Sequence, residues 1–184
     1  MAIGLHSGRV IVAPYDPAWA EEFAAERARM AAALGGVPCV IEHVGSTSVP
    51  GLAAKPIIDI MGGRPPESDL DAYVRAFTGI GYEYRGELGL PGREYFVRDD
   101  AAGARTHHLH LVVLGGGHWV RHLAFRDALR ADPEKAARYA ALKHDLASRY
   151  ADFRGEYTDS KTPFIEAVVR EWLDGRADPD GATG

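Results

Sequence analysis

The amino-acid sequence predicts a mixed α/β (α+β) domain whose C-terminal half is helical. Three observations carry this reading. Short β-branched runs alternate with amphipathic segments in the N-terminal part; the run PIIDIM is nearly all apolar, the composition of a strand buried on both faces; and from His118 onward the pattern is mostly helical. The order is a helix, two strands around a motif, a helix, several strands and then helices, which fits one mixed domain. The 184 residues, 46% of them hydrophobic, suffice for one sizeable core. We therefore expect a single domain over residues 1–175 and a mobile polar tail over 176–184.

Each element has a local cause. Residues 10–13 are a short β-branched run that Pro14, Asp16 and Pro17 break before a helical pattern begins. Asp16 followed by Pro17 has the chemistry of an N-cap and first helical residue. Trp19, Phe23, Met30 and Leu34 then recur at helical spacing among Glu21, Glu22, Glu26, Arg27 and Arg29, and Gly35 with Gly36 ends this amphipathic helix. Residues 39–44 and 56–61 are predicted strands with the motif between them. A helix over 67–78 follows, with Ser68 as its expected cap and Gly79 and Gly81 closing it. Strands at 82–85 and 94–98 flank a glycine-rich loop, 86–92, and a further strand covers 106–114. Beyond three glycines, 115–117, Pro133 opens a new helix after an Asp132 cap, and a last helix covers 162–173.

Composition narrows the partners. A net charge of -5 and a pI near 5.9 argue against a general electrostatic grip on nucleic acid, and a small anionic ligand fits better. The single Cys39 forms no internal disulfide, and its apolar surroundings suit a buried structural thiol. No signal-peptide pattern is visible, and the apolar runs fall far short of the roughly 20 residues that span a bilayer. The expectation is a soluble cytoplasmic protein without membrane contacts; its oligomeric state is not legible.

The stretch HVGSTSVPGLAAKPIIDI concentrates the chemistry. Gly45, Ser46, Thr47 and Ser48 supply a flexible backbone and three hydroxyls where a strand ends, and such a turn can donate to phosphate oxygens. An ST-turn or the cap of a segment over 48–54 explains the same residues equally well. The Walker A spacing is absent. Lys55 either faces phosphate or is a solvated lysine before a proline.

Asp59 is set among Ile57, Ile58, Ile60 and Met61, and a buried carboxylate without a partner costs several kcal/mol, so it should have a cation. In a strand Asp59 and Met61 share a face, and a second acid at 61 would have made a metal-chelating pair. In THHLHLVV, His108 and His110 face one side of a strand and His107, Leu109 and Leu111 the other. Those two histidines form a candidate metal edge to which Asp59 and His43 can add ligands; phosphate binding, proton transfer and plain hydrogen-bonded packing remain alternatives. His118 and His122 lack the H-E-x-x-H pattern and are expected at the surface. Arg93, Arg98 and Arg105 are candidates for gripping an anion, whereas Arg121, Arg126 and Arg130 with Asp127 have the pattern of a solvated, salt-bridged helix face. Tyr157, Lys161 and Phe164 either contact a ligand or pack.

The stretches PYDPAW, IEHVGSTSVPGLAAKPIIDI, HHLHLVV, LAFRDALR, YAALKHDLA and the Y-x-x-x-K-x-x-F-I run starting at Tyr157 resemble the GrpB family, within the nucleotidyltransferase-fold superfamily, over nearly the whole length. The resemblance implies a nucleotidyltransferase-like mixed β-sheet packed by helices, with Gly45 and Ser46 as the glycine-serine signature and Asp59 as the first metal-binding acid. The superfamily pattern usually places a second acid two residues on and a third on a later strand. Met61 stands at the second position, and His108 or His110 lies in the region of the third.

The expected function is accordingly binding of a nucleotide or phosphorylated small molecule with a divalent metal, Mg²⁺ or Mn²⁺ with Zn²⁺ as an alternative, and nucleotidyl transfer to an unknown acceptor. Asp59, His108, His110 and His43 are the expected ligands to the metal, and the first three of them the catalytic set. Gly45 to Ser48, Lys55, Arg93 and Lys161 are expected to take the phosphates. The alternative is an inactive ligand-binding or accessory module that retains the pocket. A GrpB-like domain also occurs fused to dephospho-CoA kinase in some bacteria, where it resembles an accessory domain; no kinase half is expected in this chain.

Overall fold

The computed structural model describes residues 3–5 and 10–177. Helix α1 (Ala18–Leu34) begins as its sequence dictates: the Asp16 carboxylate accepts a hydrogen bond from the Ala18 N–H at 3.0 Å. Gly35, in the left-handed conformation at φ 57°, ends it and donates its N–H to the Ala32 carbonyl. Strand β1 (Val40–Val44), a short 3₁₀ turn (Ser46–Ser48) and strand β2 (Ile58–Arg64) follow, then α2 (Leu70–Thr78), β3 (Glu83–Tyr84), β4 (Arg93–Asp99) and β5 (Arg105–Val113). Four helices complete the described residues: α3 (Gly117–Ala131), α4 (Pro133–Arg149), α5 (Arg154–Asp159) and α6 (Thr162–Ala177).

The strands form one sheet in the order β1-β2-β5-β4-β3. β2 and β5 are parallel and the other neighbours antiparallel, so the sheet is mixed, as expected. The register sorts the side chains into two faces. Ile58, Ile60, Phe96, Leu109 and Leu111 pack under α1 and α2 against Trp19, Met30, Tyr73 and Phe77, all fully buried. On the other face Val44, Met61 and Val112 pack against Trp119 of α3. Beyond them Phe125, Leu129, Tyr139 and Val168 make a second apolar core with Val49 and Leu52. The helical half covers this face at one end only. The rest of it, around Asp59, His108 and Tyr95, lines a pocket.

Several sequence expectations are corrected. Helix α2 starts at Leu70 rather than 67. Asp69 caps it by accepting from the Asp71 N–H, while Ser68 donates its hydroxyl to the Pro65 carbonyl instead. Glu26 does not belong to a polar face. It is 5% exposed and accepts from Arg29, from Tyr82 at 2.8 Å and from Arg98 at 2.5 Å, a carboxylate whose burial is offset by donors from three segments. The last helix runs four residues further than predicted, so Arg176 and Ala177 are helical; the remainder of the expected tail, 178–184, lies outside the described residues. Among the described residues no helix is long and apolar enough to cross a membrane.

Strand β2 also outlasts its predicted end at Met61, continuing through Gly62 and Gly63. Glycine usually weakens a strand, but here it admits close packing. A Cβ on Gly63 would lie 2.6 Å from the Trp119 ring and 2.7 Å from Leu114. Gly63→Ala should therefore push α3 from the sheet and destabilise the protein by roughly 1–3 kcal/mol. Urea unfolding of both proteins measures this, and an unchanged midpoint would contradict the packing account.

Candidate functional site

The site is built where β1 hands over to β2. Gly45 has φ 71° and ψ -172°, and a Cβ there would lie 2.5 Å from Asp59 Oδ2. Only glycine both adopts this conformation readily and lets the carboxylate rest against the backbone. The three hydroxyls that follow have different tasks. Ser48 Oγ donates to the Gly45 carbonyl at 2.6 Å, closing the turn on itself. Thr47 Oγ1 donates to the Ile57 carbonyl at 3.4 Å and lies 3.0 Å from His43 Nε2, so it accepts from the His43 N–H. Ser46 and Thr47 line the pocket, and Ser48 does not.

Asp59 and His108 are directly paired across the parallel β2–β5 ladder, as are Met61 and His110. Asp59, His108 and His110 therefore share a face. His108 Nδ1 donates to Asp59 Oδ1 at 2.9 Å, so the carboxylate finds its partner in an imidazole N–H on the neighbouring strand. Burial acts to raise the Asp59 carboxyl, but the His108 hydrogen bond and the charges of His108, His110 and Lys161 outweigh it and hold the group at about 2. The carboxylate is thus ionised, with 32% of its side-chain surface still open. His108 Nε2 and His110 Nδ1 are buried and find no hydrogen-bond partner among the described residues. The Tyr95 ring lies 5.6 Å from the His108 ring and 5.1 Å from that of His110.

The pocket in front of this pair encloses about 590 Å³. Its lining contains one acid, Asp59, and six cations: Lys55, Arg85, Arg93, Arg105, Lys143 and Lys161. Arg85 and Arg105 are ion-paired to Glu83 and Asp99. The lysines converge around two tyrosines. Lys55 Nζ and Lys161 Nζ lie 4.1 and 4.5 Å from the Tyr157 ring centroid, and Lys143 Nζ lies 4.7 Å from that of Tyr139. Lys143 is 2% exposed and donates to the Ala53 carbonyl. Burial, and then the charge of Lys161, lower its ammonium from the usual range to about 7 despite the opposing pull of Asp59.

Not every candidate reaches this pocket. His43 pairs with Ile60 across the ladder and so faces α1; its ring stacks on Phe23 at 4.6 Å, and burial lowers its imidazole to about 4. It does not join Asp59, because adjacent strand residues point to opposite faces. Arg98 is on that same face, bound to Glu26. Among the described residues, no group of three or more His, Cys, Asp or Glu side chains is disposed to hold a metal ion. Phe164 stacks on Tyr139 in the helical core. Arg126 does not belong to a solvated face: 9% exposed, it donates to Glu42, Asp127 and the His43 carbonyl, whereas Arg130 stays exposed while donating twice to the Ser48 carbonyl. His118 and His122 are half-buried, His118 bonding to the Pro91 carbonyl and His122 packing its ring 5.5 Å from His110.

Sequence reasoning missed Lys143 and Leu88 in the lining. For Lys143 the stretch YAALKHDLA carried a signal, a lysine one turn beyond Tyr139 among apolar residues; for Leu88 there was none.

A family profile described as "GrpB protein" matches residues 9–171. A UPF0157 protein of Pseudomonas aeruginosa is 42% identical over 88% of this chain and 66% of its own length. A UPF0157 protein of Bacillus subtilis is 36% identical over 95% of this chain, which spans only 51% of that relative. The crystal structure of the conserved protein GrpB from Enterococcus faecalis superposes with a TM-score of 0.81 at 40% identity, covering 90% of this chain and 99% of that one. The Cid1 poly(U) polymerase, in a structure with MgGTP bound, gives a TM-score of 0.52 at 15% identity over 75% of this chain and 45% of the polymerase. That last likeness is one of fold alone, and it makes the architecture nucleotidyltransferase-like. With its profile match spanning nearly the whole chain and a relative at 42% identity, the chain belongs to the GrpB family.

Proposed function

We propose that the pocket binds a nucleotide or other polyphosphate-bearing ligand together with one divalent ion, and that Asp59 directs nucleotidyl transfer from it. The observation that carries this reading is the convergence of Lys55, Lys143 and Lys161 beside a single ionised carboxylate in a chain whose net charge is negative. A cleft lined mainly by one sign of charge focuses a field that attracts the opposite sign, here an anion.

The side chains fit an ion held jointly with the ligand rather than a protein cage. Asp59 is one ionised carboxylate, and His110 Nδ1, without a hydrogen-bond partner among the described residues, is an imidazole donor on the same face. Mg²⁺ in particular is commonly held by one or two carboxylates plus substrate phosphates. When bound, such an ion neutralises charge on the phosphates. The chain's own residues do the rest. Lys55 and Lys161 attract and place the polyphosphate, the Ser46 turn offers donors at its edge, and Asp59 fixes the His108 tautomer so that Nε2 presents a lone pair for a proton. With a nucleoside triphosphate, transfer would join an acceptor hydroxyl oxygen to the α-phosphorus, break the bond from that phosphorus to the β-phosphate oxygen and release pyrophosphate, the hydroxyl proton passing to His108 Nε2.

A second reading, a ligand-binding module without turnover, is favoured by Met61. The position where a second acid would stand is fully buried in the apolar cluster under Trp119.

Two measurements test these readings. Lys143, at about 7, is mostly neutral at about pH 8.5, and an anion beside it raises its affinity for protons, so ligand binding should take protons up. Titration calorimetry of tripolyphosphate in buffers of different ionisation enthalpy should show a buffer-dependent heat that Lys143→Met abolishes; identical heats in wild type would count against a pocket anion. Asp59→Asn keeps the shape and removes the charge. It should lose Mn²⁺-dependent thermal stabilisation in the presence of a nucleoside triphosphate, and lower turnover of labelled nucleotide by roughly a hundredfold or more. Binding intact with no turnover in wild type would select the module without catalysis.

A further inference from the structure

The pocket has a second end, away from the lysines, and we propose that it is a subsite for a nucleobase, so that the ligand is a nucleoside polyphosphate rather than a simple phosphorylated metabolite. This rests on the reading of the lysine end as a phosphate site. The pocket crosses the sheet face from Asp59 on β2 over β5 and β4 to Arg85 beside β3, three strand spacings or about 14 Å. That reach exceeds what a polyphosphate at the lysine end occupies.

The far end is made by Leu88, Arg93, Tyr95 and Val97. Leu88 is the one non-glycine residue with positive φ among the described residues, at 44°, and it is 61% exposed. A leucine alone at a loop tip means little, but this one is held in place. Arg93 Nη2 donates to the carbonyls of Glu87 at 3.1 Å and Leu88 at 3.3 Å. Glu87 Oε1 accepts from the Gly92 N–H at 2.6 Å, and His118 Nε2 donates to the Pro91 carbonyl at 3.0 Å, tying the same loop to α3. A strained backbone persists only where its surroundings impose it, and such positions cluster at ligand clamps.

The chemistry beside Leu88 selects a planar ring with acceptor atoms. The Arg93 guanidinium lies 4.8 Å from the Tyr95 ring centroid, a flat cationic surface on an aromatic one. Its Nε is buried without a hydrogen-bond partner, and among the described residues no carboxylate pairs with Arg93. A base stacks on guanidinium or aromatic faces, accepts hydrogen bonds at its carbonyl or ring nitrogens, and buries apolar area against leucine. A second phosphate would use the cation but leave Leu88 without a contact.

The test compares titration of inorganic tripolyphosphate with each of ATP, GTP, CTP and UTP, all with Mg²⁺, on wild type and Leu88→Gly. Glycine takes the left-handed conformation without strain, so the variant should melt no lower than wild type. At least one nucleoside triphosphate should bind wild type about tenfold tighter than tripolyphosphate, and Leu88→Gly should remove most of that difference while leaving tripolyphosphate unchanged. Equal affinities for tripolyphosphate and all four nucleotides, or a preference that survives in Leu88→Gly, overturns the base subsite and leaves the phosphate reading standing. No binding of any of the five compounds overturns both.

Discussion

The parallel pairing of β2 with β5 is the constraint on which the site depends. It sets Asp59 opposite His108, and the hydrogen bond between them offsets the burial of a carboxylate in an otherwise apolar strand. A slip of one residue would turn Asp59 toward Trp19 and Met30 and send Ile58 and Ile60 to the pocket, so the core on one face and the chemistry on the other fix the same register. Gly45 belongs to this constraint as well, since its missing Cβ is the space that Asp59 Oδ2 approaches.

Around that pair the helical half acts as a brace. Arg126 and Arg130 reach from α3 to the His43 and Ser48 carbonyls, on either side of the Gly45 turn, and Lys143 reaches from α4 to the Ala53 carbonyl. Backbone carbonyls in an irregular segment must find donors when they are buried, and long basic side chains supply them from a distance. The consequence is an electropositive concentration inside a chain of net charge -5. Net charge describes the surface seen from afar; a cleft is governed by the handful of groups that line it.

The same geometry explains why an apolar residue suits position 61. Position 61 lies on the Asp59 face, but one step along β2 the sheet is already covered by α3, and Trp119 packs there with Val44 and Val112. An acid at that point would be buried among apolar groups, whereas Met61 fits. The imidazoles of His108 and His110 are polar groups on the same face as Asp59.

By itself the sequence determined the local elements. Asp16–Pro17 and Asp132–Pro133 start helices, the apolar run around Asp59 makes a strand, and strand alternation places His108 and His110 together, because propensity, capping and periodicity act over a few residues. The shared face of Asp59 with these histidines was legible too, once the two strands were neighbours. What only the tertiary structure decided depends on partners distant in the chain. His43 turned to the α1 face through its pairing with Ile60, Glu26 gathered donors from Tyr82 and Arg98, and Arg126 left the solvent for Glu42 and His43. Lys143 entered the pocket because α4 packs beside the segment after β1, a contact 90 residues apart that no local pattern encodes. Hydrogen bonds and burial of that kind are set by which surfaces meet, and a linear sequence states the surfaces without stating the meeting.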